Sequence, residues 1–218
     1  MSYLCKDTAT KAIRSMSNFH EDIVSTYENH GMDLLDNLGR RNIVMSQAQE
    51  RFFAMALMEK FGQGVINDGR TGQPDIVIEP IGKELECKLT SRHKSGSISF
   101  QSDYETLLSK GELDYLYVIA DHHFKQFAVL HFEGLTTEDF RPLSNGARGK
   151  VAMFKHKGMK KCNVLMGSVD SLNKENIDRI KKRLSEKNPP YKIRKLKKSL
   201  DYWMNTEEKY RFNLEKLS

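Results

Sequence analysis

Acidic and basic residues stand at both ends of the segment PDIVIEPIGKELECK, residues 74 to 88. Two strand-like runs, DIVIE and KELECKLT, flank a proline and a glycine, so the segment is predicted to be a β-hairpin. Side chains alternate along a strand, which puts Glu86 and Lys88 on one face and Cys87 on the other. With PIGK taken as the loop, Asp75 is expected opposite Lys88 and diagonal to Glu86, about 5 to 7 Å away.

Two carboxylates in this arrangement could hold a magnesium ion. Mg²⁺ takes oxygen ligands at about 2.1 Å and keeps several waters, so Asp75 and Glu86 together with a phosphate oxygen would satisfy it. Lys88 beside the ion could orient or activate a water and stabilise negative charge developing on phosphorus. The chemistry indicated is metal-assisted hydrolysis of a phosphodiester.

The alternative is an ordinary hairpin in which Glu86 and Lys88 form the exposed face of an edge strand. A Pro-Asp pair followed by an acid-x-Lys triplet is short, and arises by chance in roughly one chain in ten. The surrounding elements must therefore decide between the two interpretations.

Helical and strand-like patterns surround the hairpin. The first third of the chain has helical periodicity as far as Gly31, and a second helix is predicted from Ser46, its N-cap, to Gly62, with Glu50 near its apolar face. The stretch SFQSDYETLLSKGE is predicted to be a crossover helix to a central strand, LDYLYVIA, which makes a parallel pair with the hairpin. QFAVLHFEGL and KCNVLMGS are further predicted strands, and basic helices interrupted by two prolines end the chain. The predicted fold class is α/β, with a mixed central β-sheet flanked by helices.

Pro74-Asp75, ten intervening residues and then Glu86-x-Lys88 resemble the motif of the PD-(D/E)xK nuclease superfamily, and the resemblance covers residues 46–120. It implies that Asp75 and Glu86 bind Mg²⁺, that Lys88 assists the attacking water, and that the main-chain carbonyl of Cys87 completes the metal shell. It also implies an additional metal contact from Glu50 on the preceding helix.

Polar residues after the hairpin are candidate DNA contacts, because the resemblance puts DNA-touching side chains there and because basic loops suit a nucleic acid. The candidates are Arg92, His93, Lys94, Ser99, Gln101, Asn145, Arg148 and Lys150. The alternative for each is a polar surface loop. His122 and His123 lack partner ligands at zinc spacing, which favours a turn on the surface.

Charge is unevenly distributed over the 218 residues, which carry a net +6. Residues 171–200 hold eleven Lys or Arg against three Asp or Glu, a balance typical of a polyanion-binding surface. A solvated lysine-rich face is the alternative. We expect one domain, residues 1–218, whose basic segment 171–218 contacts DNA or a second subunit.

Other functional classes find little support in the sequence. Three scattered cysteines form neither a disulfide framework nor a zinc pattern, and no apolar run has the length of a membrane span. No secretory signal begins the chain, so a cytoplasmic location is expected.

The expected function is that of a Mg²⁺-dependent, sequence-specific endonuclease of double-stranded DNA. The resemblance is greatest to type II restriction enzymes, which implies a homodimer and products with 5′-phosphate and 3′-hydroxyl ends. Two alternatives stay open: a structure- or mismatch-specific repair or recombination nuclease of the same fold, and a non-catalytic DNA-binding protein.

Overall fold

The computed structural model describes residues 2–67, 69, 73–92, 98–144, 149–186 and 193–217. Within these residues the helices are α1 (Lys6–Asn29), α2 (Leu38–Phe61), α3 (Tyr104–Lys110), α4 (Lys155–Gly158), α5 (Leu172–Leu184) and α6 (Ile193–Asn205). The strands are β1 (Val65–Ile66), β2 (Ile76–Ile78), β3 (Lys83–Ser91), β4 (Gln101–Asp103), β5 (Leu113–Ala120), β6 (Gln126–Leu135), β7 (Lys150–Ala152), β8 (Cys162–Met166), β9 (Ser168–Ser171), β10 (Tyr210–Asn213) and β11 (Glu215–Lys216). No helix in the described ranges has the length and apolarity needed to cross a membrane.

A mixed sheet forms the centre of the molecule, with strand order β1-β2-β3-β5-β6-β11 and β8 also paired with β6. β3 and β5 run parallel, and the other pairs are antiparallel. The parallel pair needs a crossover, and α3 lies on the connection between the two strands. The predicted fold class, a mixed sheet flanked by helices, is confirmed.

Strand β5 is the core of the sheet, because every one of its residues is buried. Leu116 and Val118 face a cluster that includes the apolar sides of α1 and α2. Tyr115 and Tyr117 face the opposite cluster, which contains Phe100. Cover on both faces explains why LDYLYVIA is continuously apolar, as expected for a central strand.

Helix α2 begins eight residues before the predicted start at Ser46. Its N-cap is Asn37, whose Oδ1 accepts a hydrogen bond of 3.1 Å from the Arg40 main-chain N. Ser46 lies inside the helix and donates to the Ile43 carbonyl instead. The first turns of α2 were not predicted, because the residue that faces the core there is Arg41. This side chain is fully buried although it is charged, so it interrupts the apolar pattern of the helix.

The predicted crossover helix is also shorter than expected, since residues 101–103 form strand β4 and the helix starts at Tyr104. Asp103 caps α3 by accepting a hydrogen bond of 3.0 Å from the Thr106 main-chain N. Asp103 also pairs with Lys150 in the small β4-β7 sheet. The C-terminal ends of the first two helices are as predicted: Gly31 follows α1 and Gly62 follows α2, each with positive φ.

Arg41 joins three elements at one end of the sheet. Its Nη1 donates to the carbonyl oxygens of Asp121 at 3.0 Å and His122 at 2.6 Å, in the turn between β5 and β6. Its Nη2 donates to Ser91 Oγ at 2.7 Å, at the end of β3. Burial lowers the pKa of Arg41 to about 10, against the attraction of Asp121, and the guanidinium remains charged at neutral pH.

His20 lies next to Arg41 in the core and stacks on Phe124, with ring centroids 4.7 Å apart. Its Nε2 has no hydrogen-bond partner among the described residues. Burial, followed by repulsion from Arg41, lowers the pKa of His20 to about 4. The folded protein therefore keeps this ring neutral at a pH where the unfolded chain protonates it.

The stability of the protein is expected to fall as pH drops from 6.5 towards 4. The unfolded state takes up the proton first, which costs the folded state roughly 2 kcal/mol between pH 7 and pH 5. His20→Phe keeps the ring contact and removes the titratable group. Between pH 7 and pH 5 its free energy of unfolding should therefore fall by about 2 kcal/mol less than that of the wild-type protein. Urea unfolding at both pH values measures the difference, with the exposed His30→Asn as control. An unchanged difference in His20→Phe would show that this ring is not the cause.

The C-terminal elements pack onto the side of the sheet that carries Tyr115 and Tyr117. β9 and β10 form an antiparallel pair, and the Phe212 ring lies 5.4 Å from the Phe100 ring. Helices α5 and α6 pack against each other, in agreement with the predicted basic helices. The two prolines expected to separate them lie outside the described residues.

Candidate functional site

The turn between β2 and β3 fixes the register of the hairpin. A single 3₁₀ turn covers Glu79–Ile81, and Gly82 follows with a φ of +59°. This left-handed conformation costs glycine little because it has no Cβ. The loop is therefore Glu79–Gly82 and not the predicted PIGK, and Lys83 belongs to the strand.

The register of β2 and β3 puts Asp75 opposite Glu86. Ile76 pairs with Leu85, and the next position outward matches the two carboxylates. The expected pairing of Asp75 with Lys88 is wrong, because the loop starts and ends one residue earlier than predicted. Because the loop moves by one residue on each strand, the partner of Asp75 on β3 changes by two residues, from Lys88 to Glu86. Side chains alternate with a period of two, so each side chain stays on its predicted face of the sheet.

Asp75 is held in place by two hydrogen bonds. Its Oδ2 accepts from the Cys87 main-chain N at 2.7 Å, which links the start of β2 to β3. Its carbonyl oxygen accepts from Asn67 Nδ2, also at 2.7 Å. The carboxylate is thus positioned by the hairpin itself and by the segment after β1. Asn67 was not predicted as a site residue, because it lies in an irregular segment with no motif or periodicity.

Glu86 and Lys88 form an ion pair between Oε1 and Nζ. Their side chains are 13% and 32% exposed, and β3 lies between β2 and β5. The alternative of two charges on the open face of an edge strand is therefore excluded. Taking charge out of water is costly, and the ion pair offsets part of that cost for this partly buried acid and base.

Glu50 lies half-buried on α2, and the neighbouring Gln49 anchors that helix to the sheet. Gln49 is fully buried, and its Nε2 donates to the main-chain oxygens of Leu116 at 3.1 Å and Lys88 at 3.4 Å. The amide thereby spans the seam between β3 and β5. Gln49 was not predicted as a site residue, although a glutamine on an apolar helix face indicates a buried amide that needs hydrogen-bond partners.

Electrostatics connect the three carboxylates. Burial, followed by repulsion from Asp75 and Glu86 and opposed by Lys88, raises the pKa of Glu50 to about 7. Burial also raises the pKa of Asp75 and of Glu86, in each case against the attraction of Lys88. Three acids thus share one ammonium group, and the excess negative charge favours a cation.

Lys88 remains protonated at neutral pH. Burial by itself would lower its pKa, but the attraction and hydrogen bond of Glu86, with a further contribution from Asp75, raise it above the ordinary value. Lys88 is therefore suited to stabilising negative charge and to donating hydrogen bonds.

Two grooves are lined in part by these residues. The first, here called the amide groove, has a volume of about 580 Å³, and its lining includes Ile43, Ser46, Gln47, Glu50, Gln73 and Asp75. The second, here called the lysine groove, has a volume of about 270 Å³, and its lining includes Lys88, Thr90, Ser99, Gln101, Tyr117 and Lys150. Glu50 and Asp75 thus line the first groove, and Lys88 lines the second.

Several of the predicted DNA contacts gather in the lysine groove. The pairing of β4 with β7 brings Gln101 and Lys150 together, and Ser99 lies beside them. Arg92 is exposed at the end of β3, where its main-chain N donates to the Ala120 carbonyl. The remaining four, His93, Lys94, Asn145 and Arg148, lie outside the described residues.

Cys87 and the two adjacent histidines fit the simpler interpretations. The Cys87 side chain is 5% exposed in the core below α2, and burial raises the pKa of its thiol well above the ordinary value. The role of its carbonyl as a metal ligand stays a prediction. His122 and His123 are exposed in the β5-β6 turn, as expected for surface residues.

The residues present suit a hard divalent cation. Among the described residues, no three His, Cys, Asp or Glu side chains are grouped closely enough to bind a metal on their own. Mg²⁺, however, is commonly held by one or two carboxylates together with water and substrate phosphate. Asp75 and Glu86, opposite each other on the hairpin, supply such a pair, and Glu50 is near enough to raise the local negative charge.

Comparison of the chain with protein-family models, curated proteins and solved structures gives no match in any of the three. The function must therefore be inferred from the geometry and electrostatics of the residues themselves.

Proposed function

We propose that this protein is a Mg²⁺-dependent endonuclease of the PD-(D/E)xK type that cleaves double-stranded DNA. The observation that carries the proposal is the facing pair Asp75 and Glu86 with Lys88 ion-paired beside them, on a strand inside the sheet. In this function Asp75 and Glu86, assisted by Glu50 and the Cys87 carbonyl, bind the metal ion. Sequence-specific cleavage in the manner of a type II restriction enzyme would leave 5′-phosphate and 3′-hydroxyl ends.

Each charged side chain has a distinct role in the proposed hydrolysis. Mg²⁺, when bound, supplies charge stabilisation at the phosphate and lowers the pKa of a coordinated water. Lys88 holds a proton, so it acts by orienting the attacking water and stabilising negative charge on the phosphate oxygens. The Cys87 main-chain N fixes the Asp75 carboxylate in a single orientation.

The lysine groove suits a phosphate of the cleaved strand, because its lining holds two lysines, Lys88 and Lys150, against one acid, Asp103, which caps α3. Ser99 and Gln101 provide neutral hydrogen-bonding groups there. The scissile phosphate would lie over the carboxylates at one end of this groove. Exposed Gln101 and Lys150 would then contact the phosphates next to it.

The basic C-terminal segment supports a polyanionic substrate. Arg194, Lys195, Lys197 and Lys198 are all exposed on α6. The segment is connected to the lysine groove through aromatic contacts, since the Phe100 ring lies 4.8 Å from Tyr117 and 5.4 Å from Phe212. The segment would bind the DNA backbone or a second subunit, and a homodimer acting in the cytoplasm would cut both strands of a symmetric site.

The direct test is digestion of a fully sequenced phage DNA by the purified protein in Mg²⁺, beside an identical sample in EDTA. Discrete fragments in Mg²⁺ alone are expected, and sequencing their ends gives the site and the stagger. If the phage DNA stays intact but branched or mismatched duplexes are cut, the protein is a nuclease that recognises DNA structure and not sequence. Failure to cut any of these substrates in Mg²⁺ would contradict the nuclease proposal and favour a DNA-binding protein.

A further inference from the structure

The amide groove differs chemically from the lysine groove. Glu50 and Asp75 lie on its lining, and the other polar groups there include Ser46, Gln47 and Gln73. Neither lysine nor arginine is among its described lining residues. Among the residues that the structure describes, a phosphate in this groove would meet the carboxylates of Glu50 and Asp75 and no cation, so this part of the groove suits an uncharged part of a ligand.

One face of α2 forms the wall of the amide groove. Ile43, Gln47 and Glu50 follow one another at intervals of four and three residues, so their side chains lie on the same side of the helix. Ile43 is 70% exposed, more than any other large hydrophobic side chain in the described ranges. Its side chain is available to pack against a sugar or a base, because such a contact would remove exposed apolar area from water.

Two amides in the groove are free to recognise a ligand. Gln47 and Gln73 are exposed, and neither side chain forms a hydrogen bond with another described residue. An amide has both donors and an acceptor, and glutamine can pair with adenine through two hydrogen bonds. A nucleic-acid base presents such pairs of groups along its edge, whereas a phosphate offers acceptors alone.

We propose that the amide groove binds the nucleoside on one side of the scissile phosphate, with Gln47 contacting the base and Ile43 packing against the sugar. The inference rests on the proposed nuclease function, because Asp75 is what joins this groove to the site of cleavage. The cleaved strand then crosses from the amide groove, over Asp75 and Glu86, into the lysine groove. Gln47 is a specificity residue in this arrangement.

The experiment uses duplexes randomised in sequence, cut by the full-length protein in Mg²⁺, with the new ends sequenced. Wild-type protein should show a base preference next to the cut, and Gln47→Ala should reduce that preference about 10-fold at a single position, as expected for loss of one bidentate contact. The matched control is Gln63→Ala, because Gln63 is exposed beyond the end of α2 and outside the groove. It should retain the wild-type profile.

A second pair of variants tests occupancy of the groove independently of base preference. Ile43→Glu should lower the cleavage rate at limiting enzyme at least tenfold, because a carboxylate would face the incoming strand. Met55→Glu adds the same charge at a residue on α2 that is 45% exposed and outside the groove, and should cut at the wild-type rate. Both substituted residues are exposed, and equal melting temperatures would confirm that folding is unaffected.

The outcomes separate this inference from the function on which it rests. Cleavage by wild-type protein, with Gln47→Ala and Ile43→Glu both indistinguishable from their controls, would overturn the assignment of the groove and leave the nuclease intact. If wild-type protein cuts without base preference, the cleavage rates of Ile43→Glu and Met55→Glu test the inference. Slower cleavage by Ile43→Glu alone would support occupancy of the groove by the strand, and equal rates would contradict it. Absence of cleavage by wild-type protein on any duplex would overturn both.

Discussion

Replacing Asp75 with asparagine is expected to lower Mg²⁺-dependent DNA cleavage by roughly a thousandfold or more, since it removes a charged metal ligand. The fold should survive, because the asparagine Oδ1 can still accept the hydrogen bond that Asp75 Oδ2 receives from the Cys87 main-chain N. Binding to duplex DNA should be retained, because the change removes a negative charge beside a polyanion. The measurement is the initial rate of cleavage over a range of Mg²⁺ concentrations, with DNA binding measured in parallel.

The matched control for Asp75→Asn is Glu79→Gln. Both changes neutralise one acid on the same hairpin, but Glu79 is exposed in the turn, away from Glu86 and Lys88. Glu79→Gln should cut DNA at the wild-type rate. Wild-type cleavage by Asp75→Asn would show that the reaction occurs elsewhere in the protein, and an equal loss in both variants would indicate a general effect on the hairpin.

Replacing Arg41 with methionine is expected to have the largest effect on stability. Methionine fills part of the volume, but it removes three hydrogen bonds from a charged donor, to the carbonyl oxygens of Asp121 and His122 and to the Ser91 hydroxyl. Asp121 keeps the Phe124 main-chain N as a donor, and Ser91 keeps Asn42 Nδ2. Hydrogen bonds to a charged group contribute about 1.5–3 kcal/mol each, so we expect the loss of all three to lower the free energy of unfolding by about 3 kcal/mol or more. Urea denaturation monitored by circular dichroism measures it.

Arg40→Met provides the comparison for Arg41→Met. Arg40 precedes Arg41 in the same turn of α2, but its side chain is exposed, so its loss should change stability by at most about 0.5 kcal/mol. Similar losses in the two variants would mean that the buried hydrogen bonds contribute little. A loss confined to Arg41→Met would establish that the guanidinium holds the end of β3 to the β5-β6 turn.

The sequence predicts much of this fold because its central elements have strong periodicity. β5 is recognisable from eight consecutive strand-like residues, and its parallel pairing with β3 follows from the intervening helix. The short strands β9, β10 and β11 were not predicted, since two to four residues carry no reliable alternation. The early start of α2 was missed for a different reason: Arg41 faces inward, and a charged residue conceals the apolar face.

The candidate site was predictable where its residues belong to one local element. Asp75, Glu86 and Lys88 lie close together in sequence, so a hairpin is enough to bring them together. The register depended on one residue in the turn, where the sequence allowed Glu79 to belong either to the strand or to the loop. Gln49 and Asn67 depend on contacts between separate elements, and the amide groove depends on how α2 lies against the segment after β1.

Gln49 also bears on how this protein tolerates mutation. Its amide donates to the main-chain oxygens of Lys88 and Leu116, so these two hydrogen bonds do not depend on which side chains occupy those positions. A substitution at Lys88 therefore leaves in place the hydrogen bonds that hold α2, and with it Glu50, against the sheet. Substitution of Gln49 itself is expected to be less well tolerated, because a shorter or apolar side chain would leave the Lys88 and Leu116 carbonyl oxygens without this donor.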